Sequence, residues 1–407
     1  MAATVSANIK ATATENIYWS KANATDDDPK LQLIDEYVSK VRDWVPRRDE
    51  SEPPIGLTRL EKARQEEMRR QQKNTATAPP TIRKRKVDGN VPENPRFIPE
   101  WGEMQGVLIR YPLGISTHLV KAMSERAKIF CLVDEKKLKE AKKTLRGAGI
   151  LEEDIEWILE KTDTYWIRDY GPWFVSTASS SKGIAIVDHE YDCFKRKKDN
   201  KVPKMIAEAL DVPYYDSELV GAGGNMMVDG TGRAVATHTA YTQDPACETW
   251  DETSVPLESC KYVDNRMEDY FGIQEFQVVA DPTGTYIDHV DCWAKFLSPT
   301  TILIREVSKD HPQYEDIEKV VRYFESTKTS EGQPWKIARV WTDADQPYTN
   351  SLILNGEVFV PIVDSKDDEA ALEAYRAAMP DYEVSGWYGY WEPTDALHCR
   401  TIAIPKF

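Results

Sequence analysis

The sequence predicts a large α/β domain behind an N-terminal extension, and three observations carry that reading. From Glu100-Trp101 onward, short runs rich in β-branched and aromatic residues alternate with amphipathic stretches at helical spacing. The last four helical stretches begin about 55 residues apart, close to the period of repeat architectures, so each unit would supply a few strands and one helix. Hydrophobic residues make up 41% of the 407 residues, enough for a sizeable core. A doubly wound sheet fits the same alternation nearly as well.

Residues 1 to 95 read as an extension with linker character. Asp28-Pro29 can start a helix that carries Leu31, Ile34, Tyr37, Val38, Val41 and Val45 along one side. Pro46 ends it. Thr58 and Glu61 form a capping box for a second, mixed-charge helix. A Pro- and Thr-containing stretch follows, closed by the basic run Arg83-Lys84-Arg85-Lys86, which reads as solvated linker.

In the domain itself, strand-like runs cover 106–111, 129–133, 183–189, 234–240, 276–280, 302–307, 337–340, 352–363 and 401–404. Helices are expected between them. Ser116 precedes one over 119–127, and Asp134 precedes another over 137–145, with Gly147 after it. Further helices cover 204–210, 257–270, 313–326 and 367–379, the last stopped by Pro380.

Charge and cysteine usage narrow the function classes. The net charge of -16 disfavours general nucleic-acid binding and favours cationic ligands. No apolar run reaches the length of a membrane span, and no secretory signal is legible in the first thirty residues. The six cysteines stand without CxxC pairs, a spacing that offers neither a zinc site nor a disulfide framework. Reduced thiols and a cytoplasmic setting are the expectation.

Five stretches carry chemistry. Asp395-Ala396-Leu397-His398-Cys399-Arg400-Thr401 sets a cysteine beside a histidine just before the last strand, where an exposed thiol can serve as a nucleophile. Buried structural thiols are commoner. In Tyr165-Trp166-Ile167-Arg168-Asp169-Tyr170-Gly171-Pro172, a carboxylate lies among aromatics. Asp169 can accept two parallel N–H bonds from a guanidinium while Trp166 stacks on its plane; an internal Arg168–Asp pair is the alternative. Gly221-Ala222-Gly223-Gly224-Asn225 suits a tight turn lining a pocket better than a phosphate loop. In Tyr286-Ile287-Asp288-His289-Val290-Asp291-Cys292-Trp293, a strand would put His289, Asp291 and Trp293 on one face. That pair can act as acid/base and cation anchor; a metal pair is the rival, with no further ligand at suitable spacing. Asn350, in Pro347-Tyr348-Thr349-Asn350-Ser351, is a polar group at a strand entry.

Together and in this order, these five motifs resemble the Porphyromonas-type peptidylarginine deiminases, over residues 95 to 407. The agmatine deiminases, with a similar Asp, His and Cys set, are more distant relatives. The resemblance implies the five-bladed α/β propeller of the guanidine-modifying enzymes, the pentein fold. It implies Cys399 as nucleophile, His289 as general acid/base, Asp169 and Asp291 as guanidinium ligands, and Asn350 as a polar member of the site. Trp166, Tyr286 and Ile287 would line the substrate channel. No metal or organic cofactor is implied. The superfamily's animal members use calcium, and no EF-hand-like pattern is present here.

The chain departs from that pattern in one loop. The bacterial enzymes grip a substrate's terminal carboxylate with an Arg-Pro-Arg segment, and the matching stretch here reads Tyr191-Asp192-Cys193-Phe194-Lys195-Arg196-Lys197-Lys198. Lys195 and Arg196 can attract a carboxylate, but lysine lacks the planar fork of arginine. Weak discrimination between C-terminal and internal arginine is therefore expected. The leading expectation is deimination of arginine in peptides or proteins, with agmatine deimination as the alternative. A non-catalytic binding module would be expected to lose the nucleophile or its partners, and a papain-like hydrolase places its cysteine before its histidine; neither holds here.

Overall fold

The computed structural model describes residues 91–193, 196–244, 246–247 and 254–407. The helices and basic run expected before residue 91 lie outside these, as does Lys195. Among the described residues the strands form five sheets of three or four strands each.

One plan recurs in all five. A short strand pairs antiparallel with a longer one, and a helical crossover returns the chain to a third strand parallel to the second. Parallel neighbours need such a crossover, and the helix then covers one face of its sheet. The first sheet holds β2 (Met104–Tyr111), α1 (Thr117–Ser124) and β3 (Lys128–Val133), extended by α2 (Leu138–Gly147) and β4 (Ile155–Leu159). After α3 (Ile167–Tyr170), the second holds β5 (Trp173–Ser176), β6 (Ile184–Tyr191), α4 (Val202–Leu210) and β7 (Tyr214–Gly221), with β1 (Arg96–Phe97) on its edge. The third is built from β8 (Met227–Val228), β9 (Arg233–Thr237), α5 (Thr239–Thr242), α6 (Lys261–Phe271) and β10 (Glu275–Val279). The fourth has β11 (Ala294–Ser298), β12 (Thr301–Glu306), α7 (Tyr314–Ser326) and β13 (Lys336–Trp341). The fifth has β14 (Leu352–Leu354), β15 (Glu357–Ile362), α8 (Asp368–Ala378) and β16 (Glu383–Tyr388). The short strand missing from the first sheet is supplied by the chain's last, β17 (Ile402–Pro405), antiparallel to β2.

Local chemistry explains the boundaries. Ser116 caps α1 by accepting from the Leu119 N–H at 3.2 Å. Gly272 ends α6 in the left-handed region, at φ 67°. The central strands are covered on both faces: Val107, Leu108 and Ile109 are consecutive in β2 and all buried. Under α7, Phe296 stacks on Trp335 at 5.0 Å while Phe324 meets the same ring edge-on.

Three expectations need correction. The run 352–363 is two strands, because Asn355 and Gly356 both take positive φ, 45° and 83°, and close a hairpin. The run 234–240 stops at Thr237, and the chain turns into α5. Cys247 and Cys260, unpaired by spacing, form a disulfide across 13 residues, because the fold brings the end of the α5 segment to the start of α6. Among the described residues no helix is long and apolar enough to cross a membrane.

Candidate active site

Each of the five antiparallel short strands is entered through a tight turn, and those five turns carry the chemistry. α3, with Asp169, leads into β5. The 3-10 turn Gly223–Asn225 leads into β8, and Val290–Cys292, with His289 just ahead of it, leads into β11. Asn350 precedes β14, and the 3-10 turn His398–Arg400 precedes β17. A repeated topology thus delivers one polar segment per sheet to a common place.

The carboxylates meet at Gly224. A methyl group there would lie 2.7 Å from Asp169 Oδ1, 2.9 Å from His289 Nδ1 and 3.0 Å from Asp291 Oδ2. Only a glycine lets these three groups close in. Its N–H donates to Asp169 Oδ1 at 3.3 Å, and His289 Nδ1 is 3.6 Å from the same oxygen. Gly223 has its own reason: a Cβ would collide with the Arg168 carbonyl oxygen. Asn225 then locks the loops together. Its Oδ1 accepts from Thr237 N–H at 2.9 Å and Val290 N–H at 3.1 Å, and its Nδ2 donates to Thr239 Oγ1 at 2.7 Å.

Cys399 lies beside this cluster and is fully buried. Its sulfur is 3.7 Å from Asp291 Oδ2 and 3.2 Å from Asn350 Nδ2, which donates to it. Behind Asp291 stands His398, with Nδ1 2.7 Å from Asp291 Oδ2 and Nε2 in contact with Glu100 Oε1. Glu100 also pairs with Lys295 Nζ at 2.7 Å and Arg168 Nη2 at 3.1 Å. Glu100, Arg168, Asp291, Lys295 and His398 line a cavity of about 80 Å³, together with Phe97, Met226 and Phe296.

Electrostatics divide the two carboxylates. Burial pushes the Asp169 carboxyl well above its ordinary range, and the nearby Asp291 and Asp192 add to the rise. Asp169 Oδ2 has no hydrogen-bond partner among the described residues, although the side chain is fully buried. Burial acts on Asp291 as well, but the His398 hydrogen bond and the charges of His398, His289 and Arg168 outweigh it and hold Asp291 below the usual value. The Cys399 thiol is pushed well up by burial, then by Asp291, Asp169 and Asp395. The site therefore sets a neutral thiol beside two closely placed carboxyls, a setting that a flat cation would satisfy. Among the described residues, no three His, Cys, Asp or Glu side chains are placed to hold a metal ion.

The sequence pattern described as Porphyromonas-type peptidyl-arginine deiminase matches residues 96–405. The chain belongs to that family. The family is one of deiminases, hydrolases that act on amidine C–N bonds. The chain is similar to the agmatine deiminase of Medicago truncatula, 24% identical over 292 residues that cover 59% of this chain and 75% of that one. Its fold is that of the agmatine deiminase of Enterococcus faecalis, with a TM-score of 0.65 at 20% identity over 77% of this chain and 96% of that one. The agmatine deiminase of C. jejuni gives 0.61 at 17% identity, over the same shares of the two chains. The chain thus has a mixed α/β, pentein-like fold.

For this deiminase-family chain, the structure brings Cys399, His289, Asp169, Asp291 and Asn350 together, though not by the local geometry expected. His289 and Asp291 do not alternate along a strand; Val290–Cys292 is a 3-10 turn, and Asp288, at φ 55°, redirects the backbone ahead of it. Cys399 is fully buried, as free thiols commonly are, yet it lies within the cluster of polar site groups. Arg168 pairs with Glu100 instead of an aspartate in its own turn. Trp166 and Ile287 are buried beside Cys399 in one cluster, and the partly buried Tyr286 packs against it. The Trp166 ring is faced by Arg196, whose guanidinium carbon lies 5.2 Å from its centroid. Arg196 Nη1 also donates to Tyr191 Oη at 2.9 Å. Sequence reasoning missed His398 and Glu100 as members of the site. The signal for His398 was its place beside the nucleophile; Glu100 carried none beyond opening the domain.

Proposed function

We propose that the protein hydrolyses agmatine to N-carbamoylputrescine and ammonia through a covalent thiouronium on Cys399. The observation that carries this reading is the convergence at Gly224 of His289 with two carboxylates, one of which lies 3.7 Å from the Cys399 sulfur. A guanidinium carbon is a poor electrophile, so holding it under the sulfur is the main catalytic task. Asp169 and Asp291 take the cation. Its charge opposes the carboxylates that keep the thiol protonated, so Cys399 can pass its proton to His289 once substrate is bound. The thiolate attacks the guanidinium carbon, His289 gives its proton to the departing ammonia, and the thiouronium remains. His289 then takes a proton from water, the resulting hydroxide adds to the carbon, and the C–S bond breaks to release the urea group and free thiolate.

Three observations favour agmatine over arginine in a peptide. The relatives compared above are agmatine deiminases, and the catalytic groups are buried in a way that suits a small substrate. Arg196, expected as a carboxylate ligand, is engaged with Trp166 and Tyr191. Arginine within peptides remains a second reading, because the family's description names it. Ammonia release from agmatine, free arginine and an arginyl peptide tests the choice. Agmatine is expected to show the highest kcat/KM; a peptide turned over better would reverse the assignment. In the same reading the five sheets are the blades of one propeller, closed where β17 joins β2, and residues 96–407 are the catalytic unit behind an extension over 1–95.

A further inference from the structure

We propose that His398 is a positioning residue, held as an imidazolium between Asp291 and Glu100, that keeps Asp291 charged and oriented toward the bound guanidinium. The inference rests on the deiminase reading for its functional half and on hydrogen-bond inventory for its structural half. His398 Nδ1 is 2.7 Å from Asp291 Oδ2, and Nε2 contacts Glu100 Oε1. An ionised carboxylate can only accept hydrogen bonds, so both ring nitrogens must donate. A neutral ring would set one bare nitrogen against a carboxylate oxygen in a buried place, a mismatch that costs more there than in water.

Both carboxylates have reason to stay ionised. Glu100 is neutralised from its other side by Lys295 at 2.7 Å and Arg168 at 3.1 Å. These two cations oppose a charge on His398, but Glu100 is in contact with all three and screens them from one another. On the turn of His398 itself, the neighbouring groups are the neutral Cys399 thiol and Arg400, whose charge is paired with Asp395 at 2.8 and 2.7 Å. Arg168 also reaches the His398 carbonyl, to which its Nε donates at 3.3 Å, so α3 holds the turn in place. The chain Lys295–Glu100–His398–Asp291 is therefore a buried alternation of charges that ends at the reacting sulfur, 3.7 Å from Asp291 Oδ2. Asp169 is held differently: its Oδ1 accepts from the Gly224 N–H and lies 3.6 Å from His289 Nδ1, and the charge of Arg196 does not outweigh burial. The two guanidinium ligands are thus unequal by construction: Asp291 is charged before substrate arrives, and Asp169 becomes so when the cation binds.

The test is ring 15N–1H correlation on the 15N-labelled full chain, with kcat/KM for agmatine measured across pH for wild type and His398→Gln. The histidine signal that disappears in His398→Gln is expected to show two protonated nitrogens at pH 7. Without the imidazolium, Asp291 protonates at higher pH, so both carboxylates titrate in the measured range. The acid limb of kcat/KM is then expected to steepen from about tenfold to about a hundredfold per pH unit. A neutral ring at pH 7 overturns the proposal, as does an unchanged acid limb in a well-folded His398→Gln protein. Should that variant not fold, Glu100→Gln replaces it, and its His398 must lose the second proton at lower pH than in wild type. The ring signature needs no turnover, so a protein inactive on agmatine and arginyl peptide would remove the functional reading while the state of His398 is still decided.

Discussion

Asn350 holds Cys399 at two points: its Nδ2 donates to the sulfur at 3.2 Å, and its Oδ1 accepts from the Cys399 N–H at 3.3 Å. The same residue's carbonyl oxygen accepts from the His398 N–H at 3.0 Å, so one amide-bearing residue fixes the whole nucleophile turn. Asn350→Ala removes the donor to a sulfur that becomes charged in the reaction. A hydrogen bond to a charged group contributes about 1.5–3 kcal/mol, so kcat/KM is expected to fall roughly ten- to a hundredfold. Steady-state kinetics at saturating and limiting substrate checks this, and an unchanged kcat/KM would remove Asn350 from the site.

Gly224→Ala is expected to abolish most activity. The added methyl would sit 2.7 to 3.0 Å from Asp169, His289 and Asp291, where real Cβ contacts are essentially absent at the short end. The carboxylates must separate, and a displacement of about 1 Å can cost about a hundredfold in rate. Overpacking costs typically about 1–3 kcal/mol, so the variant should remain folded. Near-normal turnover would mean that the three groups do not act together.

The two aspartates should differ when neutralised. Asp169→Asn removes a carboxyl whose charge is disfavoured by burial and by the nearby Asp291 and Asp192, so its melting temperature should be equal to or above wild type. Asp291→Asn leaves His398 Nδ1 without its carboxylate partner, and breaking a buried pair costs about 3–5 kcal/mol. Both variants should lose kcat/KM by at least about tenfold. Calorimetric melting beside kinetics separates the cases, and equal destabilisation of the two would contradict the asymmetry.

His189 makes a stability prediction with a definite sign. Its ring is stacked on Trp173 at 4.1 Å, its Nε2 donates to the Asp169 carbonyl at 2.9 Å, and burial lowers its pKa to about 4. Between pH 4 and the unfolded value of about 6.5, the unfolded chain holds a proton that the native ring does not. Stability is therefore full above about pH 6.5 and declines as pH falls toward 4, by roughly 2–4 kcal/mol from this group. Urea unfolding across that range should show a shallower slope for His189→Gln than for wild type. Parallel slopes would mean that the native ring titrates normally.

How much of this was legible beforehand depends on what each residue type advertises. Long apolar runs and capped helices were legible; Ser116 does cap α1, and α7 and α8 fall within a residue or two of expectation. The short strands β5, β8 and β11 were not, because two to five residues entering from a tight turn carry no period. The site residues were found through their motifs, but their backbone was misread. A His-x-Asp pair looks like strand alternation until Asp288 takes a positive φ and the chain enters a 3-10 turn. The Cys399 thiol is buried, as free thiols commonly are, although its neighbours are polar. Those neighbours are satisfied internally: Arg400 grips Asp395 through two bonds at 2.8 and 2.7 Å, and the whole turn is buried. Glu100 could not be found from sequence, since its role comes from a contact with a residue almost three hundred positions away.

The central claim is that Cys399 is the nucleophile of a guanidine hydrolysis. Mass spectrometry of the enzyme, acid-quenched during steady turnover of excess agmatine and then peptide-mapped, tests it most directly. The expected result is that the peptide containing Cys399 carries the mass of agmatine less ammonia, and that Cys399→Ala shows neither adduct nor ammonia release while melting as a folded protein. Steady ammonia release with the Cys399 peptide unmodified, together with normal turnover by Cys399→Ala, would contradict it.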